Sequence, residues 1–407
     1  MRELDDLIAA FAAIGATGDG GVCRLAAASI DKAARDLFVR EIAGRGLGLR
    51  VDAIGNMFGV AMLAPASQDT VIVGSHLDTQ PTGGRFDGAY GVLAGLLATK
   101  AVMDRAAGNP EKARRNLVVT NWTNEEGARF QPSLTGSSVF SGSLSLEHAY
   151  ALKDGDGVTL GAALAAIDYQ GSSPLELRPV RYAELHVEQG DRLERAAADI
   201  AAVSGAWAAR KMSVVFQGEA SHTGPMPMAK RRDAMRAAAR AIEALYEEVE
   251  REKAGAHASA ARLSIYPNSP NVVAARVQVW FEVRHETEQV ALAISDRFLA
   301  RIEKESAPLG VEVSIAADER RNAALLDPAG VTLVRQTAEG LGMKATTLQT
   351  IAGHDALALQ KRIPASLIFV PSRGGLSHNP REFTAPEALE KGYAVLVETL
   401  WRMVTAD

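Results

Sequence analysis

The sequence predicts an α/β protein: a main domain assembled from two separated stretches of chain, with a small α+β unit inserted near the middle. Three observations predict it. Buried-type apolar runs alternate with helix-like stretches through the first half, the middle changes to a β-α-β-β-α-β order, and the α/β pattern resumes after about Arg320. Such alternation is the mark of helices layered on a largely buried sheet. The expected division is residues 1–209 and 321–407 for the main domain and residues 210–320 for the insert.

Each element has a local reason. Val71–Ser75 (VIVGS) is a short apolar run and predicts a buried strand. Gly88–Met103 follows with Val92, Leu93, Leu96 and Leu97 at helical spacing. Asn116–Trp122 (NLVVTNW) predicts a second buried strand, and the Ala-rich Ala162–Ala166 favours helix. In the middle, Lys211–Gln217 predicts a strand and Arg231–Lys253 a long helix rich in Ala and Glu. Strands Ala261–Ile265 and Asn271–Arg284 are joined by a Pro/Asn/Ser turn at Pro267–Pro270. Helix Gln289–Glu305 and strand Val311–Ala316 complete a ferredoxin-like order. Ala365–Val370 (ASLIFV) is one more buried strand.

Bulk properties narrow the function. The chain has 407 residues, 47% of them hydrophobic, enough for a large core and long enough to favour two domains. A net charge of −5 without a basic run argues against nucleic acid as a partner. With Cys23 as the single cysteine, an intrachain disulfide and a cysteine-based zinc site are both excluded. Any metal must be held by His, Asp and Glu. The N-terminal MRELDDLIAAFAAIG lacks the basic-then-apolar order of a signal peptide, and no apolar run reaches the roughly 18 residues of a membrane span, so a cytoplasmic location and no membrane partner are expected.

Five segments bring metal-ligand residue types to strand ends or adjoining loops. GSHLDTQPTGGRFDG carries His76 and Asp78 after a buried strand and Asp87 before a helix. Asp87 offers two oxygens, and a carboxylate at a helix start is electrostatically favoured. Asp78 is placed to orient the His76 ring. TNEEGARF carries Glu125 and Glu126, adjacent acids that face different ways, so that one can bind a cation while the other faces the reaction centre. AELHVEQG carries His186, Glu188 and Gln189, AGHDA carries His354 and Asp355, and GGLSHNPREF carries His378. Taken singly, a histidine after a strand is usually a polar loop residue, an aspartate before a helix an N-cap, and a glutamate pair a solvated surface. Their joint occurrence outweighs those readings.

At these residues the chain resembles the hydantoinase/carbamoylase family of amidases, within the wider superfamily of dinuclear metallopeptidases. The resemblance runs from about Gly20 to Trp401, and GSHLDTQPTGGRFDGAYGVLAGL with TNEEGARF is its most specific part. It implies an α/β/α catalytic domain with a central mixed sheet, plus an inserted ferredoxin-like lid and dimerisation domain, and therefore a homodimer. It implies two divalent metal ions per subunit, zinc first, with manganese, cobalt or nickel as alternatives. His76 and His186 would hold one ion, Glu126 and His378 the other, and Asp87 would bridge them. Glu125 would be the general base. His222 in SHTGPMPMAKRRDA would polarise the scissile carbonyl, although the residue type alone also suits an interface. Asn271 in PNVV, Arg284 in FEVRH and Gln189 would contact the substrate, Arg284 as a fork on its carboxylate. Asp78 and His354 would support the ligands from behind. One departure from the family pattern is Thr350–Ile351 before AGHDA, where smaller residues are expected. The implied reaction is cleavage of a carbamoyl or ureido C–N bond of an N-carbamoyl-amino acid, releasing ammonia, carbon dioxide and an amino acid. Allantoate amidohydrolase, β-ureidopropionase and aminoacylase or dipeptidase activities are the alternatives within the enzyme class. A metal-binding scaffold without catalysis is the alternative outside it.

Overall fold

The computed structural model describes residues 2–252 and 255–406. The chain divides into two compact units, one made of Met1–Gly205 with Leu325–Asp407, the other of Ala206–Ala324.

The first unit is built on a nine-stranded mixed sheet. Its strands run in the spatial order Gly48–Val51, Met57–Ala61, Asn116–Trp122, Asp69–His76, Arg178–Val187, Ala365–Val370, Ile200–Ala206 and Ala324–Leu325, with Ala345–Thr350 also paired to Ile200–Ala206. The four middle strands are parallel to one another. The neighbours on either side, Met57–Ala61 and Ile200–Ala206, pair antiparallel. Asn116–Trp122 and Ala365–Val370 are buried at every residue, which is why they lack a two-residue polar alternation in sequence.

Side-chain alternation assigns the helical layers. Leu185 points toward the helix Pro386–Thr405, where a Cβ on Gly392 would lie 3.2 Å from its Cδ1, and a Cβ on Gly91 of the helix Ala89–Ala107 would lie 2.3 Å from the Leu185 carbonyl oxygen, so only glycine permits that close approach. Helix Pro386–Thr405 packs beside Ala89–Ala107 on this face. Glu184 and His186 point to the opposite face, where the short helix Asp355–Leu359 lies and the Ala356 N–H donates to Glu184 Oε2 at 2.8 Å. The sheet is thus helix-covered on both faces, the α/β/α arrangement.

The second unit has its own core. Its antiparallel sheet runs Glu312–Arg321, Ala208–Gln217, Arg276–His285, His257–Tyr266. Helices Ala234–Glu250 and Glu288–Ser306 pack on each other and on this sheet. Arg276–His285 alternates strictly between buried and half-buried residues, and Val277, Val279, Phe281 and Val283 meet Ala241, Leu245, Ile294 and Phe298. The order of elements is β-α-β-β-α-β, with a short ribbon of Ser221–His222 and Val272–Val273 added.

Some boundaries differ from those the sequence predicts. The helix expected from Arg231 begins at Ala234, because Asp233 accepts the Met235 and Arg236 N–H groups and acts as the N-cap; Lys253, its expected end, lies outside the described residues. The strand expected over Asn271–Arg284 is two pieces, Val272–Val273 and Arg276–His285, paired to different partners. The strand expected to end at Ala316 runs as Glu312–Arg321, a mostly exposed edge whose charged residues hide it from an apolar pattern.

Candidate metal centre

The four parallel strands deliver the site. In sheets of this kind, ligands collect beyond the carboxyl ends of the strands. His76 is the last residue of Asp69–His76, opposite Trp122 of its neighbour, whose continuation turns back through Asn124 to Glu125 and Glu126. His186 comes one residue before the end of Arg178–Val187 and lies opposite Phe369. Beyond Ala365–Val370, the loop carries Ser377 and His378. Asn124, Gln189 and His378 all have positive φ (55°, 57° and 52°), conformations uncommon for residues other than glycine and often found at working sites.

Asp87 sits at the centre of the cluster. Its Oδ1 is 3.1 Å from His186 Nε2 and 3.7 Å from His76 Nε2. Its Oδ2 is 3.3 Å from His378 Nε2, which is itself 3.5 Å from Glu126 Oε2. Two donor sets result, His76–Asp87–His186 and Asp87–Glu126–His378, each with its ligand atoms within 4.8 Å of one another. Four donors placed tetrahedrally at metal–ligand distances of about 2.1 Å stand ~3.4 Å from one another. The observed separations straddle that value, so the two donor sets fit metal ions.

The imidazole tautomers agree with this fit. His76 Nδ1–H donates to the Asp78 carbonyl oxygen at 2.9 Å, and His186 Nδ1–H to the Val187 carbonyl oxygen at 2.8 Å. Each ring therefore turns Nε2 toward Asp87. The Gly88 N–H lies 3.2 Å from His186 Nε2, beside the nitrogen that faces Asp87. Buried carboxylates also need positive charge nearby. Among the described residues no Lys or Arg is hydrogen-bonded to Asp87, Glu125 or Glu126; Asp87 Oδ2 accepts from Gln189 Nε2 at 2.8 Å and Glu126 Oε2 from Gln80 Nε2 at 2.8 Å.

The turn that aims Asp87 depends on glycine. Gly88 has φ 65° and ψ −52°, and the Ala89 N–H reaches back to the Asp87 carbonyl at 2.6 Å. This is a γ-turn of the rare positive-φ kind. A Cβ on Gly88 would lie 2.3–2.4 Å from the His76 ring. No side chain caps the helix Ala89–Ala107, so the simple N-cap role for Asp87 does not hold here.

Electrostatics separate the acids and bases. Burial, then the negative charges of Asp355, Glu126, Asp78 and Asp87, push the Glu125 carboxyl well above the usual carboxylate range. Its Oε2 stands 3.4 Å from His76 Nε2. Burial and Asp87 raise Glu126 to about 8. Burial lowers His76 to about 4. At His186 and His378 burial acts downward too, but hydrogen bonds to Asp87 outweigh it and hold both at about 9.

The remaining expected residues divide between the two units. Asp78 supports His76 through its backbone, not its side chain. Its carboxylate lies 3.9 Å from the ring and instead accepts the Glu125 and Glu126 N–H groups at 3.2 Å each, fixing the turn that presents both glutamates. His354 is buried with its ring edge-on to His186 at 4.6 Å between centroids. Gln189 is bonded to Asp87 and to Ser377. In the second unit, His222 and Asn271 are exposed neighbours on the short ribbon, where the Thr223 N–H donates to the Asn271 carbonyl. Arg284 is half-buried on Arg276–His285 and pairs with Glu282 at 2.9 Å.

Two glutamates escaped the sequence. Glu382 Oε1 accepts the Phe86 and Asp87 N–H groups at 3.0 and 3.1 Å, while its Oε2 accepts from Ser377 Oγ at 2.9 Å. It holds the backbone of the shared aspartate. Its position within GGLSHNPREF, four residues after His378, was the available signal. Glu184, fully buried, accepts from Ser75 Oγ and the Ala356 N–H, tying the His76 strand to the His186 strand. Glu188, by contrast, caps the short helix Arg192–Ala196 through the Arg192 and Leu193 N–H groups.

A model of the peptidase family M20/M25/M40 matches residues 72–402. The chain belongs to this family. Within it, the chain sides with the hydantoinase/carbamoylase amidases and is a hydrolase. A crystal structure of an amidase of the hydantoinase/carbamoylase family from Burkholderia vietnamiensis superposes with a TM-score of 0.93 at 36% identity, covering 99% of this chain and 97% of that one. An N-carbamoyl-L-amino-acid amidohydrolase from Rhizobium meliloti is 37% identical over 97% of this chain and 94% of its own length. An allantoate amidohydrolase from Bacillus subtilis is 31% identical over 99% and 97%. No helix among the described residues is long and apolar enough to cross a membrane.

Proposed function

We propose that this chain hydrolyses the carbamoyl or ureido C–N bond of a small carboxylate-bearing substrate, an N-carbamoyl-amino acid, giving ammonia, carbon dioxide and the free amino acid. The observation that carries the proposal is the pair of donor sets meeting at Asp87, with Glu125 buried beside them and not needed by either set. The names of the relatives at 37% and 31% identity supply the substrate class.

Two divalent cations, zinc first with manganese, cobalt or nickel as alternatives, would polarise the scissile carbonyl and acidify an attacking water. His76 and His186 would hold the first, Glu126 and His378 the second, and Asp87 would serve both. Glu125, buried beside the donor sets with its Oε2 3.4 Å from His76 Nε2, takes the water's proton and delivers it to the leaving nitrogen. Gln189 and Glu382 keep the Asp87 carboxylate in place, one from its Oδ2 side and one from its backbone.

His222, Asn271 and Arg284 belong to the same proposal. His222 and Asn271 share an exposed ribbon suited to meeting a ligand, His222 stabilising the charge that develops on the carbonyl oxygen. Arg284 forks onto the substrate carboxylate. The second unit serves as lid and dimerisation element, so a monomeric variant is expected to bind metal yet lose turnover. An ammonia-release screen of the metal-loaded enzyme tests the reaction against N-carbamoyl-amino acids, allantoate, ureidoglycolate and dipeptides. Release from carbamoyl-amino acids supports it, preference for allantoate moves the substrate within the family, and dipeptide cleavage without ammonia contradicts it.

A further inference from the structure

The first unit holds a separate cavity of about 220 Å³ that none of the five donor residues lines. Its floor is apolar. Ile8 and Leu389 are buried in it, and the Phe86 and Phe383 rings meet edge to face with centroids 6.5 Å apart. Its walls carry one anion and one cation, Asp5 and Arg85. Asp5 and Ile8 are three residues apart on the helix Arg2–Ala13 and so share a face. Among the described residues Asp5 has no ion-pair partner, nor does Arg85, whose guanidinium lies over the Phe86 ring at 4.8 Å from its centroid. The helix Pro386–Thr405 begins at this cavity, where its dipole also favours an anion.

An apolar floor between an unpaired cation and an unpaired anion is complementary to a compact zwitterion with an apolar side chain. The size agrees, being below the roughly 300–1,000 Å³ of pockets for drug-sized ligands. We propose that this cavity binds an apolar α-amino acid, with its carboxylate on Arg85, its ammonium on Asp5 and its side chain against Phe86, Phe383, Ile8 and Leu389. The cavity backs directly onto the metal centre's support. Phe86 immediately precedes Asp87, Phe383 immediately follows Glu382, and Glu382 Oε1 accepts the N–H groups of both Phe86 and Asp87. A ligand pressed on the ring pair therefore bears on the segment that holds the shared aspartate. The ligand class is also the product class of the proposed hydrolysis. The inference that turnover responds to its own product rests on that reading; the binding site does not.

Calorimetric titration of the metal-loaded full chain with L-phenylalanine tests the site, beside glycine and 3-phenylpropionate as ligands lacking the side chain or the ammonium. Asp5→Ala and Arg85→Ala are the variants, with thermal melting to verify their folding. Saturable phenylalanine binding in the millimolar range or tighter is expected. Each variant is expected to weaken it by about tenfold or more, and both control ligands are expected to bind more weakly than phenylalanine. Failure of the parent to bind at millimolar phenylalanine overturns the site. So does equal binding by glycine, or unchanged affinity in both variants, as an amino acid captured only among the metal donors would give. Binding needs no turnover for its readout, so this result stands apart from the ammonia screen. Where that screen supports the reaction, phenylalanine is expected to change the parent's kcat and to lose that effect in Arg85→Ala.

Discussion

Gly88→Ala places one methyl group where the geometry leaves no room. The added Cβ falls 2.3–2.4 Å from His76 Cε1, Nδ1 and Nε2, against the roughly 3.5–4.0 Å of carbon contacts at their optimum. Either the imidazole retreats by more than an ångström or the γ-turn opens. Retreat breaks the 2.9 Å bond to the Asp78 carbonyl that orients the ring. Opening moves Asp87, because the turn at Gly88, φ 65°, is closed by the bond from the Ala89 N–H to the Asp87 carbonyl. A non-glycine residue held in such a conformation costs about 1–3 kcal/mol. Disturbing a residue that orients a metal ligand typically lowers metal affinity by about 10–100-fold. The expected outcome is a folded protein with metal affinity reduced by that order, measured by competition with a chelator and by metal analysis after dialysis. Gly44→Ala is the control: it ends the helix Ser29–Gly44, has no atom within 4 Å of the new Cβ, and is expected to stabilise by up to about 1 kcal/mol without touching metal binding. Parent-like metal affinity in Gly88→Ala would refute the reasoning, since the turn and the ring would then tolerate what their geometry forbids.

Three further outcomes are expected. Glu125→Gln keeps its volume and its burial but cannot carry the proton, so kcat falls by about 10²–10⁴ while metal content stays at the parent level; turnover within a few-fold of the parent would remove Glu125 from the reaction. Metal loading depends on pH with a definite sign: His186 and His378, at about 9, and Glu126, at about 8, hold protons at pH 7 in the metal-free chain, and cations must displace them. Affinity therefore rises as pH rises toward 9 and flattens above it, His76 at about 4 adding nothing in that window; calorimetry in buffers of different ionisation enthalpy reads the released protons, and none released at pH 7 contradicts the assignment. Glu382→Gln removes the charge but not the shape beneath Phe86 and Asp87, and a metal affinity about tenfold weaker with an unchanged fold is expected; an unchanged affinity, read by the same chelator competition, would show that this support is dispensable.

Legibility in the sequence follows the kind of physical signal each element leaves. Asn116–Trp122 and Ala365–Val370 coincide with the strands expected because burial on both faces writes a continuous apolar run. His76, Asp87, Glu126, His186 and His378 could be nominated because strand ends and glycine-rich loops mark where a parallel sheet presents ligands. That they meet is a matter of pairing, such as His186 opposite Phe369, which no single segment records. Asp78 shows the limit within a motif: its proximity to His76 in sequence was visible, but not that its carbonyl takes the ring while its carboxylate takes two backbone amides from the neighbouring strand end. Glu382 lay further out of reach, since its partners Phe86 and Asp87 stand almost 300 positions away in the chain. The start of Ala234–Glu250 was displaced for a simpler reason, the cap at Asp233 being outweighed by the helix-compatible Arg231 and Arg232 before it.

An anomalous-difference map from crystals of the metal-loaded protein bears most directly on the two-ion centre. Two peaks are expected, one bonded to His76 and His186, the other to Glu126 and His378, with one oxygen of Asp87 on each. A single peak, or two peaks of which either leaves Asp87 untouched, would contradict it.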